Sequence, residues 1–225
     1  MEHPLDRPFW SAITTRQRHF ALGDGRAARF VPEIGWFAAA ADAAPENLAA
    51  LAALVPAAGM LGLVETDPPP LPPGLKIVKQ AACVQMVAER PAVPAPGFAF
   101  EALGDRDAAD MLALATLTEP GPFFARTHQL GAFIGIREEG QLVAMAGERL
   151  KPPGYTEVSG VCTRPGFRGR GYAAGLMAAV SDRIAARGET PFLHAYADHA
   201  ATIALYQRLG FRVRTTLLYT LIARA

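Results

Sequence analysis

The chain has 225 residues, 51% of them apolar, and a formal net charge of +1. That length and apolar share allow a sizeable core in one large domain or two small ones. The near-zero charge excludes a global basic field of the kind that binds nucleic acid or an anionic membrane, so any anion site must be local.

The first ten residues, MEHPLDRPFW, lack the basic start and apolar run of a signal peptide. The alanine-rich stretch near residues 37–64 is broken by Asp42, Pro45, Glu46 and Asn47, so no membrane span is expected. Within it Glu46 to Leu54 reads as a helix, and Met60 to Glu65 and Leu75 to Ala88 carry apolar runs suited to strands. Residues 67–74, DPPPLPPG, read as an extended polyproline loop, and residues 90–97, RPAVPAPG, as a boundary. These signals suggest a small N-terminal α/β unit over residues 1–95 and a second domain over 96–225.

After the boundary, FAFEAL at 98–103 alternates like a strand, and Asp105 is placed to cap a helix through Met111 to Leu117. Residues 131–137 and 141–150 form two strands joined by the turn at 138–140, and 156–163 forms another. A helix follows over 173–187 with Leu176, Met177, Val180 and Ile184 on one face and Gly188 as its C-cap. A strand at 191–197, a helix at 200–209 ended by Gly210, and a strand pair from Phe211 to Ile222 complete the order β-α-β-β-β-α-β-α-β-β. The fold class expected is α/β (α+β), with a mixed, mostly antiparallel central sheet flanked by helices and preceded by the smaller unit.

The segment 164–173 reads RPGFRGRGYA, with three arginines and three glycines between a strand and a helix N-terminus. Unpaired helix amides and the positive end of the helix dipole favour a phosphate there. Gly169 and Gly171 can take positive φ and turn their N–H groups inward, while Arg168 and Arg170 supply charge. A merely solvated turn has the same composition. A Walker A loop is excluded because no lysine and hydroxyl residue follow the glycines. Gly169-x-Gly171-x-x-Ala174 fits a dinucleotide fingerprint, with Asp198 as the ribose acid, but Arg164 to Arg168 separate it from its strand and too little chain follows Asp198.

The stretch 168–173 also fits Q/R-x-x-G-x-G/A, and with VCT at 161–163, LHAYA at 193–197 and ATIALYQRLGF at 201–211 it resembles the GNAT acyltransferase superfamily. The run LVAMAGERL at 142–150 makes the chain similar to the branch containing glycine N-acyltransferase-like enzymes. The resemblance covers residues 98–225. It implies an acyl-CoA-dependent N-acyltransferase that uses acetyl-CoA and transfers directly to a small-molecule or peptide amine in a ternary complex. It further implies a coenzyme site made by Val161, Cys162, Thr163, Arg168, Gly169, Arg170, Gly171, Tyr172 and Ala173, with the pantetheine amides pairing to the backbone of Val161 and Thr163. Gly160, inside that strand, suggests a bulge or a close backbone approach that parts it from its neighbour.

Such transfer needs a neutral amine and a protonated leaving sulfur. The resemblance places Glu157 as base and Tyr206 as proton donor; a solvated or salt-bridged Glu157 and a core-packing Tyr206 fit the residues equally. Glu148 is the second candidate base, since apolar surroundings after 142–147 would raise its pKa. Asp198 stands where relatives often have asparagine, and an acid there weakens coenzyme contacts. A rival chemistry would use Cys162 as nucleophile with His194 or His199 as base, against the commoner reading of Cys162 as a buried apolar side chain. The residues 119–126, EPGPFFAR, and 151–155, KPPGY, are candidate walls for the acceptor. The two cysteines, Cys83 and Cys162, have no metal or disulfide spacing, which fits a reducing, cytoplasmic setting, and the five histidines show no metal motif. No metal, nucleic-acid or membrane partner is expected, and a homodimer is allowed. A non-catalytic coenzyme-binding sensor would share the loop; an RNA-binding module lacks the necessary aromatic-basic interleaving.

Overall fold

The computed structural model of the protein describes residues 3–67, 69–89 and 97–225. Its elements in chain order are α1 (Pro8–Thr14), β1 (Ala21–Gly23), β2 (Ala27–Phe30), β3 (Ala38–Ala40), α2 (Pro45–Leu54), β4 (Leu61–Glu65), β5 (Leu75–Val87), β6 (Glu101–Leu103), α3 (Ala108–Thr118), β7 (Phe133–Glu138), β8 (Gln141–Glu148), β9 (Tyr155–Thr163), α4 (Tyr172–Ala186), β10 (Thr190–Tyr196), α5 (Ala200–Arg208) and β11 (Arg212–Arg224). Strands β1, β2 and β3 make a small antiparallel sheet. The other eight form the main sheet in the order β4-β11-β5-β10-β9-β8-β7-β6, antiparallel at every junction except β9 with β10. This is the mixed, antiparallel-dominated sheet that the pattern suggests.

The sequence explains the layering. From Leu142 to Glu148 every residue of β8 is buried, a continuous run fit for a strand covered on both faces. On one side α4 turns Leu176, Met177, Val180 and Ile184 inward, all buried against Ile134, Val143, Val158 and Leu193. Leu176 and Ile184 have no exposed surface, and such burial stabilises by about 1.5–3 kcal/mol per side chain. The C-cap is Arg187 rather than Gly188, and Gly188, at φ 76°, ends the helix one residue later in the left-handed conformation. The two-residue turn Glu139-Gly140 has φ of 51° and 80°, the geometry that matches strand twist between β7 and β8.

Three further readings change. The terminal strand pair is one strand: β11 slips register against β5 between Val213 and Thr215, so Arg214 is the extra residue of a bulge rather than a break. Asp105 does not cap α3; its carboxylate pairs with His128 Nε2 at 2.8 Å, and Asp107 instead receives the Gly104 N–H at 3.0 Å. The segment 1–45 carries α1 and β1 to β3, which have no strong apolar periodicity in the sequence. The boundary at residue 95 lies outside the described residues; β5 pairs with both β10 and β11, so strands from either side of it share one sheet. Among the described residues no helix is long and apolar enough to cross a membrane.

Candidate active site

The glycine-arginine turn connects β9 to α4. Gly169 and Gly171 both sit at φ 80°, and a Cβ on either would meet no atom within 4 Å. Gly171 is the N-cap of α4, has no side-chain cap, and its carbonyl accepts from Gly175 N at 3.0 Å. The amides before Gly175 therefore end the helix without a capping side chain over them. The start of α4, at Gly171, Tyr172 and Ala173, lines a cavity of about 400 Å³ together with Thr163, Arg168, Gly169, and Val161 and Cys162 on β9. Arg168 stays at this cavity, its Nε donating to Thr163 O at 3.3 Å. Arg170 does not line it: the guanidinium reaches the Glu138 carboxylate at 3.0 and 3.1 Å, joined there by the Tyr172 hydroxyl, and lies 4.9 Å above the Phe167 ring. The Thr163 hydroxyl is buried without a hydrogen-bond partner among the described residues.

A second, larger opening lies where β9 and β10 part. Their parallel pairing runs from Tyr155↔Thr190 to Glu157↔Phe192 and then stops, β10 continuing against β5 instead. Gly160 assists this divergence. It has φ 64°, the β8–β9 register slips across it, and a Cβ there would come within 2.9 Å of the Phe133 ring, so both the bulge and the close approach are present. The gap holds a cavity of about 740 Å³ that shares Val161 with the smaller one.

At the floor of the larger cavity Glu157 is fully buried. Arg149 donates to both its oxygens at 2.7 Å, and His194 Nδ1 pairs with Oε1 at 2.7 Å. Burial alone would raise this carboxyl, but the Arg149 charge and hydrogen bonds, with help from His194, outweigh it and hold the pKa at about 2. The ring of His194 is oriented from its far side: Gln85 Oε1 accepts from Arg214 at 3.0 Å, which turns the amide nitrogen toward His194 Nε2 at 3.2 Å. Nε2 is thereby the acceptor and Nδ1–H the donor to Glu157. Glu157, expected as a free proton acceptor, is thus held in an ion pair with Arg149 and hydrogen-bonded to His194.

Glu148 does not meet the apolar surroundings expected of it. It is buried between Lys151 (2.9 Å) and Arg187 (2.8 Å) and does not line the larger cavity. Tyr206 does line that cavity, with its hydroxyl pKa raised by burial. Cys162 is buried, its thiol pushed up to about 11 by burial, and neither His194 nor His199 hydrogen-bonds to it among the described residues. The cysteine-nucleophile arrangement is therefore not assembled. Asp198 is exposed beside His199 at 3.9 Å. Of the two candidate walls, Glu119 to Phe123 line the larger cavity; 151–155 does not, and Tyr155 is hydrogen-bonded to His3.

Sequence reasoning missed the contribution of the N-terminal segment. Phe9, Trp36 and Phe37 close one side of the larger cavity. The available signal was the adjacent aromatic pairs, Phe9-Trp10 and Trp36-Phe37, in a stretch otherwise rich in alanine.

Comparison with known proteins bears on this arrangement. A protein from Novosphingobium aromaticivorans assigned as an acetyltransferase of the GNAT family is 44% identical over the full length of both chains, with a TM-score of 0.93. The chain belongs to the GNAT family. The family pattern described as FR47-like protein matches residues 133–220 of this GNAT chain, from β7 into β11. N-alpha-acetyltransferase RimI of Mycobacterium tuberculosis is 34% identical over 101 residues, which are 42% of this chain and 63% of that relative. A GCN5-related N-acetyltransferase from Kribbella flavida shares the fold at 21% identity, with a TM-score of 0.61 over 93% of this chain and 94% of its own.

Proposed function

We propose that this GNAT protein transfers an acetyl group from acetyl-CoA to a primary amine by direct attack within a ternary complex. The observation that carries the reading is the pair of cavities that both reach Val161: one is lined by the uncapped start of α4, the other opens between the parted strands. The open space over Gly169 and Gly171 fits a diphosphate, with Arg168 as its cation. The backbone of β9 at Val161 and Thr163, beyond the last pairing with β10 at Glu157, suits the pantetheine amides, added as a strand would be, with Thr163 O giving up its contact to Arg168 Nε. The likeness of 142–150 to the branch containing glycine N-acyltransferase-like enzymes is part of this proposal, as is the amine acceptor, which the alpha-amine specificity in the name of the Mycobacterium tuberculosis relative also supports.

The chain's residues divide the work by their chemistry. The amine nitrogen attacks the thioester carbonyl carbon, so that a C–N bond forms as the C–S bond breaks. Tyr206 gives its proton to the departing sulfur, a role for which burial keeps the hydroxyl protonated at neutral pH. The nitrogen's excess proton leaves through solvent and restores the tyrosine. Glu157 holds Arg149 and His194 in place and keeps the floor of the cavity rigid; it takes up no proton, because a carboxylate at about 2 is too weak a base at neutral pH.

Initial rates of thiol release with acetyl-CoA and an amine test this. Intersecting double-reciprocal lines are expected, together with a fall in kcat of about 100-fold in Tyr206→Phe at unchanged acetyl-CoA affinity. Parallel lines with an acetylated enzyme by intact mass would overturn direct transfer.

A further inference from the structure

One wall of the larger cavity is a continuous row of rings. Phe9 stacks on Phe37 with centroids 4.2 Å apart at 27°, Phe37 meets Tyr219 at 6.1 Å, Tyr219 meets Tyr196 at 6.3 Å, and Tyr196 meets His199 at 5.4 Å. All five line the cavity. The row starts on α1 and beside β3, outside the matched residues 133–220, and ends at α5. Aromatic faces of this kind prefer a ring or a cation as neighbour. Two cations of the protein already show the second preference: Lys79 lies 5.0 Å from the Tyr196 ring centroid, and the Arg149 guanidinium 5.9 and 5.1 Å from those of Phe9 and Phe37.

Charge narrows the choice. The lining carboxylates among the described residues are Glu119 and Glu157, and Glu157 is neutralised by Arg149. With Lys79 and Arg149 also lining the site, an acceptor with several positive charges meets too little negative charge to hold it. A polypeptide end would need main-chain partners beyond its first residue, and this wall is built of aromatic side chains instead. The cavity's volume of about 740 Å³ lies within the range of small-molecule sites, roughly 300–1,000 Å³.

Resting on the acetyl-transfer reading above, we infer that the acceptor is a small primary amine carried on an aromatic body, held against the row from Phe9 to Tyr196 with its nitrogen toward Val161. The test compares 2-phenylethylamine, spermidine and a short peptide with a free α-amine as acceptors at saturating acetyl-CoA. The kcat/KM for 2-phenylethylamine is expected to exceed both others by about tenfold or more, and Phe37→Leu to raise its KM by about tenfold at unchanged KM for acetyl-CoA. Phe37 is buried, so Phe123→Leu, at a half-buried ring on the same cavity, provides a second variant with a KM effect in the same direction. Preference for spermidine or the peptide would overturn the inference and leave acetyl transfer standing. So would no turnover of 2-phenylethylamine by protein that binds acetyl-CoA. Failure of the protein to bind acetyl-CoA at all would overturn the acetyl-transfer reading, and the acceptor inference with it.

Discussion

Glu157 keeps a full negative charge where no solvent reaches it, because Arg149 and His194 replace water around its oxygens. Glu157→Gln would leave Arg149, whose side chain is 13% exposed, without its counter-ion, and breaking a buried pair typically costs about 3–5 kcal/mol, an upper bound here. Urea unfolding of the variant should show a loss of that order. The pH dependence follows from the sign of the shift. The folded-state pKa of about 2 lies below the ordinary value of 4.5, so the stabilisation is complete above about 4.5 and is lost as pH falls toward 2. The wild type should lose stability across that window, and Glu157→Gln should lack this component of the decline. The importance of position 157 was legible through its place in a motif set. Its role was not, because Arg149 and His194 lie 8 and 37 residues away and only the sheet brings all three together.

At the scale of elements, α4 and the turn before it were almost fully legible, since Leu176, Met177, Val180 and Ile184 mark one face and the glycines mark its start. The different fates of the two arginines were hidden. Arg170 meets Glu138 across the β7–β8 hairpin, 32 residues distant, whereas Arg168 remains at the cavity. Arg168→Ala should therefore weaken acetyl-CoA binding more than Arg170→Ala, and the Arg168 contribution should shrink as salt rises. Calorimetric titration of both variants at low and high salt checks this; equal losses would show that the two guanidinium groups act alike. The strand β11 was harder to read, because its polar run at 212–216 looks like an interruption while a bulge carries the pairing through it.

At the scale of the molecule, the elements after residue 97 follow their apolar patterns, while β1 to β3 have no such pattern to follow. Their sequences, ALG, AARF and AAA, have little of the β-branched and aromatic content that marks strands, and tertiary packing decides their conformation. The N-terminal half has a structural weight that its lack of motifs conceals. Strand β5 lies between β10 and β11, and these two have no pairing with one another in the sheet order. A fragment beginning at residue 97 should consequently fail to fold cooperatively, giving a broad, non-sigmoidal thermal transition by circular dichroism; a sharp transition would mean that β10 and β11 can close the gap without β5.

The central claim is that the uncapped start of α4 grips the diphosphate of acetyl-CoA, and titration calorimetry of wild type and Gly171→Val tests it most directly. Valine at φ 80° is strained and places its methyl groups over the space that the glycine leaves open. Measurable binding to the wild type, weakened about tenfold or more in a variant that still melts cooperatively, is the expected result. Equal affinity in both proteins would contradict it.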